Sequence, residues 1–170
     1  MKIFTFQNWT RCLKLSMVGA LLSLSTISMS SDAAWAGVIS QKITASIQNL
    51  QKSDERWIQI NLSTQRLIAW EGNKPVYAIV ISSGKKSTPT RIGTFKVQSK
   101  HKVTRMRGRN YDVPNVPYAM FYDGNYGIHG AYWHRRFGTP VSHGCVNLAP
   151  NHAKWLFNWA SLGTSVIIQK

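Results

Sequence analysis

Cysteine is nearly absent from this chain, whose 170 residues include two, Cys12 and Cys145. A scaffold stapled by several disulfides is therefore excluded, and the fold must rest on an apolar core. Acid is scarce as well: six Asp and Glu stand against 21 Lys and Arg, a formal net charge of +15. No cluster of acids is available to support a metal site. Internal repeats and low-complexity runs are absent. The one long apolar stretch, residues 15–27, is short for a membrane span and diluted by serines.

What is present begins with an export address. Lys2, Arg11 and Lys14 give a positive start, residues 15–27 an apolar middle, and residues 34–36 read AWA, the small-x-small pattern that signal peptidase cleaves. The expectation is a signal peptide over 1–36, with an uncleaved N-terminal anchor as the alternative. Cys12 precedes the apolar run instead of ending it, which disfavours a lipoprotein. The protein is thus expected in the periplasm or cell wall. Residues 1–36 hold three basic residues and Asp32, so residues 37–170 keep +13 of the charge. Such a field favours polyanions. Behind an export signal, an acidic envelope polymer is the better candidate, and nucleic acid is not expected.

Residues 37–56 read as a short N-terminal segment or tether, with Ile43, Ile47 and Leu50 at helical spacing. From Trp57 the period changes to two. Strands are predicted over 57–62, 66–70, 75–82 (buried on both faces), 94–99, 118–122 and 126–130, with turn chemistry at EGNK and DGN. Residues 100–110, KHKVTRMRGRN, read as a basic, irregular connection. Residues 149–163 predict a helix, with Pro150 at its start, Gly163 at its stop, and Trp155, Leu156 and Trp159 on the packed face. A last strand is predicted over 164–169. The class is a β-rich α+β domain with one main helix.

Cys145 stands in SHGCVN, residues 142–147, with no second cysteine after residue 36 to pair with. An odd cysteine in an exported chain is an intermolecular bridge or a reactive thiol. A histidine can accept the thiol proton. His101, His134 and His152 read as surface residues. His143 is two residues from Cys145, but Gly144 suggests a turn that makes its ring a brace for the loop. His129, at a strand end beside Gly130, is the better-placed base, and the Gly130 carbonyl is a credible orienting acceptor. The amides of Gly144 and Cys145 could face the oxygen of an attacked carbonyl. Two other readings compete: a zinc site on His129, His143 and Cys145, and a non-catalytic basic wall-binding protein with an inert thiol. A papain-like enzyme places cysteine before histidine, the reverse of the order here.

The string GIHGAYWHRRFGTPVSHGCVNL, residues 127–148, closely resembles the signature of L,D-transpeptidase catalytic domains. Residues 58–97, including TPTRIGTF, resemble that family's opening strands and loop, and the likeness spans roughly 57–169. The resemblance implies a catalytic domain over 57–170, built as a mixed β-sheet sandwich with one main helix packed on it. It implies a cysteine enzyme that attacks peptidoglycan tetrapeptide stems, releases D-Ala, and passes the acyl group to an amine or to water. It assigns Cys145 as nucleophile, His129 as general base and acid, the Gly130 carbonyl as its orienting group, and the Gly144 and Cys145 amides as the oxyanion site. Ser142, His143 and Asn147 then shape the loop and pocket. Tyr118, Met120, Tyr122 and Trp133 fall where the family builds its cleft, though they read equally as core residues. Arg135 and Arg136 are candidates for a substrate carboxylate. No metal or other cofactor is implied, carbapenem-type inhibitors are expected to acylate Cys145, and a monomer is expected. The spacer between His129 and Ser142 is compact, so any lid there is small.

Overall fold

The computed structural model describes residues 31–170, so the apolar run and Cys12 lie outside the described residues. It opens with α1 (Ser31–Gln51), which runs through the AWA triplet as one helix. Ile43 of α1 is buried against Trp57 and Ile167, with Ile47 and Leu50 packed on the same cluster. The three residues at helical spacing thus dock the helix onto a sheet. No helix among the described residues is long and apolar enough to cross a membrane.

Nine strands follow in chain order: β1 (Arg56–Asn61), β2 (Arg66–Glu71), β3 (Lys74–Val80), β4 (Gly93–Lys96), β5 (Ser99–Gly108), β6 (Tyr111–Asp123), β7 (Tyr126–Gly130), β8 (Val146–Leu148) and β9 (Ser165–Gln169). A second helix, α2 (Pro150–Trp159), lies between the last two. They form a five-stranded sheet, β3-β2-β1-β9-β4, and a four-stranded sheet, β5-β6-β7-β8. Both are mixed, because β1 pairs β9 in parallel and β7 pairs β8 in parallel.

The period of two in β1 explains how the layers are joined. Ile58 and Ile60 point into the core between the sheets, with Leu67, Ile79, Met120, Tyr122, Ile128, Val146 and Leu148. Trp57 points the other way, under α1, stacked on Trp70 at 5.3 Å. Its indole N–H donates to the Gly72 carbonyl at 2.8 Å, so this buried polar group is satisfied.

Four expectations change. β3 is an edge strand with only Ile79 buried, not a strand covered on both faces. Residues 100–110 are not an irregular connection: most belong to β5, whose hairpin with β6 is tied by Arg105 and Arg107 to Asp112 across the strands. β6 tolerates Pro114 because its pairing slips there, with Asn115 at a positive φ of 53°. α2 buries Ala153, Leu156 and Phe157; Trp155 and Trp159 instead stack side by side at its margin, with Tyr77 on Trp155. The helix stops at Ala160, before Gly163, and Lys100 Nζ donates to the Phe157 and Ala160 carbonyls at that end.

Candidate active site

Strand register brings the chemistry together. β7 and β8 run in parallel, with His129 opposite Asn147. Partners in register share a face of the sheet, and Cys145 lies in the bend that leads directly into β8. All three line one cavity of about 270 Å³ with Trp133, His134, Ser142 and His143. The roof comes from the β5–β6 hairpin, through Met106, Tyr111 and Val113. The cavity is therefore walled both from upstream of His129 and by Trp133, His134 and Val141 of the compact spacer behind it.

His129 is buried, and its Nδ1–H donates to the Gly130 carbonyl at 3.0 Å. A carbonyl can only accept, so the proton of the neutral ring is on Nδ1 and the Nε2 lone pair is free to take another. Burial lowers the pKa of His129 to about 4, partly opposed by the Gly130 bond and assisted by His134. Gly130 is needed for close approach: a Cβ would lie 2.8 Å from Pro117 Cγ.

Cys145 is half-buried and unpaired, with Sγ 3.5 Å from the Asn125 carbonyl. Burial pushes its thiol up, and the Gly127 N–H opposes that shift. With the imidazole held neutral and the thiol held protonated, the resting pair is uncharged.

The loop around the thiol corrects one expectation. The Gly144 N–H already donates to Ser142 Oγ at 3.0 Å, so it is not free for an oxyanion. Ser142 Oγ in turn donates to the Cys145 carbonyl at 2.5 Å. The Cys145 N–H has no protein acceptor among the described residues, which leaves it as the available amide of that pair. Gly144 itself is required on two counts: its φ is +122°, and a Cβ would lie 2.6 Å from Tyr126 Cε1. Tyr126 cannot easily yield, because the Arg91 guanidinium lies 4.6 Å over its ring and is anchored on Asp123 at 2.6 Å. Gly144→Ala is expected to slow acylation of Cys145 about 100-fold and to cost about 1–3 kcal/mol of stability. Stopped-flow acylation and thermal melts check both, and a variant that keeps native rates would contradict this account of the loop.

The other expected site residues divide. Trp133 lines the cavity, 41% exposed, with its ring 5.8 Å from His129. His143 is exposed, lines the cavity and stacks on Tyr111 at 4.8 Å. Among the described residues, no three His, Cys, Asp or Glu side chains converge as metal ligands. Asn147 is buried, and its amide meets His134 Nε2 at 2.9 Å. Met120 and Tyr122 are fully buried core residues, and Tyr118 packs on Phe157 at 5.7 Å. None of those three lines the cavity, because the inward face of β6 serves the interior of the sandwich. Arg135 and Arg136 are exposed and also lie outside the lining. Sequence reasoning missed His134, Tyr111, Met106 and Val113. The hint for His134 was its place in an aromatic-rich stretch, YWHRRF. His152, read as a surface residue, is half-buried, with its Nδ1 2.9 Å from the Tyr77 hydroxyl.

Comparison with known proteins agrees with this geometry. Residues 55–168 match the family described as YkuD, L,D-transpeptidase catalytic domain. L,D-transpeptidase 1 of Mycobacterium tuberculosis is 34% identical, over 50% of this chain and 39% of its own length. The chain thus spans about two fifths of that curated relative. The solved catalytic domain of the Enterococcus faecium L,D-transpeptidase is 31% identical with a TM-score of 0.62, covering 68% of this chain and 98% of that one. An LD transpeptidase, LdtMt1, solved in complex with imipenem, is 26% identical with a TM-score of 0.64, covering 68% of this chain and 59% of that one. A family match over most of the chain, on a sandwich that brings a histidine and a cysteine into one cavity, makes this chain a member of the L,D-transpeptidase catalytic-domain family.

Proposed function

We propose that the protein is an exported L,D-transpeptidase acting on peptidoglycan stems. The observation that carries this reading is that His129, on β7, and Cys145, directly before its parallel partner β8, line one cavity, with Nδ1–H held by Gly130. Cys145 Sγ attacks the carbonyl joining the diamino acid to the terminal D-Ala of a tetrapeptide stem. The S–C bond forms, the peptide C–N bond breaks, and the thiol proton passes through His129 Nε2 to the departing D-Ala amine. An acceptor amine, for which the diamino acid side chain of a second stem is the fitting candidate, then attacks the thioester and regenerates the thiol. Water in its place gives an L,D-carboxypeptidase reaction. The Cys145 N–H, unpaired among the described residues, is directed to the oxyanion of both steps. The net charge of +13 over residues 37–170 suits an acidic wall polymer as the working environment.

The test is direct. Purified protein incubated with a disaccharide-tetrapeptide should release D-Ala and form a cross-linked dimer. Imipenem should add its mass to the peptide carrying Cys145. Absence of both D-Ala release and adduct would overturn the assignment, and release without dimer would identify water as the acceptor.

A further inference from the structure

Thr90 lies far from the thiol in sequence, in the TPTRIGTF stretch, yet it is buried against the nucleophile loop. Its Oγ1 accepts from the Gly84 N–H at 2.8 Å and donates to the Gly144 carbonyl at 2.8 Å. The polarity of this relay is fixed, because an amide can only donate and a carbonyl only accept. Gly84 permits the approach: a Cβ there would lie 2.9 Å from Gly144 Cα and 2.7 Å from the Thr90 nitrogen. The surrounding loop is itself anchored. The Lys85 N–H and Thr88 Oγ1 both donate to the Ser142 carbonyl, and the Gln65 amide holds both the N–H and the hydroxyl of Ser83.

We propose that Thr90 is a positioning residue that aims the Cys145 N–H at the oxyanion. The Gly144–Cys145 peptide is planar and trans, so its C=O and N–H point in opposite directions. Holding the oxygen of that unit on Thr90 therefore sets the direction of the Cys145 N–H. That amide is the one that matters, because the Gly144 N–H is occupied by Ser142. Ser142 and Thr90 grip Gly144 from its two ends, the first at the nitrogen and the second at the carbonyl. This divides the labour: Ser142 shapes the turn, and Thr90 orients the peptide that receives the charge. A threonine suits the place because its hydroxyl accepts and donates at once. Valine has the same shape and does neither.

The inference rests on the acyl-enzyme reading above, and the experiment separates the two. Imipenem acylation of Cys145 and alkylation of the same thiol by iodoacetamide are followed in native protein, Thr90→Val and Thr90→Ser. Acylation builds an oxyanion. Alkylation displaces iodide at a saturated carbon and builds none, so it reports only the thiol and its access. Thr90→Val is expected to acylate about 30-fold more slowly than native while alkylating within about threefold of it. Thr90→Ser should restore acylation to within about threefold of native. If the valine variant acylates at the native rate, or loses acylation and alkylation together, the positioning role is wrong. If valine prevents folding, the serine variant still decides: a folded Thr90→Ser that acylates 30-fold slowly overturns the hydroxyl's role. Failure of the native protein to acylate at all would strike the acyl-enzyme reading instead.

Discussion

Cys145→Ala is expected to release no D-Ala from a tetrapeptide stem while melting within a few degrees of the native protein. The structural cost is small. The sulfur makes one long contact to the Asn125 carbonyl, and Cys145 is only half-buried, so its loss removes little packing. The chemical cost is total for a covalent route, because no other thiol exists beyond residue 36 and the Ser142 hydroxyl is committed to Gly144 and the Cys145 carbonyl. Removing the nucleophile from a nucleophile–base pair elsewhere costs about 10⁶-fold in kcat. A fall of about 10⁴-fold or more is therefore expected, measured as D-Ala by chromatography. Retention of one per cent of the native rate (about 10⁻² of it) in a folded variant would exclude the thioester route.

The same loop shows how much of the site was legible in the sequence. Cys145, His129 and the Gly130 carbonyl were readable because each depends on chemistry local to its own segment: a lone thiol, a strand-end histidine, an adjacent carbonyl. The strands β1 and β2 were readable because their apolar alternation matches their burial, and β7 and β9 because they are short runs next to turn signals, buried at nearly every position. The β5–β6 hairpin was not. Its residues alternate between a basic outer face, where Arg105 and Arg107 share Asp112, and an inner face of Met106 and Val113 that lines a cavity instead of a core. Val103, 60% exposed, adds an apolar residue with no packing role to reveal. A strand held mainly by its partner's register has no strong signal of its own.

Other misses have the same cause at shorter range. Gly144 was recognised as a turn residue, but its N–H could be assigned to an oxyanion only while the reach of the Ser142 hydroxyl was unknown. Thr90 stands 54 residues from the carbonyl it binds, and no spacing rule connects them. Met120 and Tyr122 alternate correctly for a strand, yet alternation does not say which face meets substrate and which meets the other sheet.

His129→Ala is expected to abolish acylation, by about 10³-fold or more, and to flatten the acid dependence of stability. Both effects follow from one displaced pKa. The ring is buried and held neutral, with its pKa lowered from an ordinary value near 6.5 to about 4. The base form therefore persists through mildly acidic pH, and the acid limb of the native acylation rate should fall near pH 4, well below the value near 6.5 of a free imidazole. Stability moves in the matching direction. As pH falls below about 6.5, the unfolded chain takes up a proton that folded His129 refuses, so unfolding becomes easier. The loss grows until pH passes about 4, where the folded ring also protonates, and amounts to about 3 kcal/mol in all. Denaturant melts of the native protein between pH 7 and 4 should show this slope. The alanine variant starts lower, because it leaves a cavity, but should lose most of the slope. A residual part remains from His134, whose pKa burial also lowers. An acylation limb at pH 6.5, or equal slopes in the two proteins, would show that His129 titrates as an ordinary exposed histidine and is not the buried neutral base.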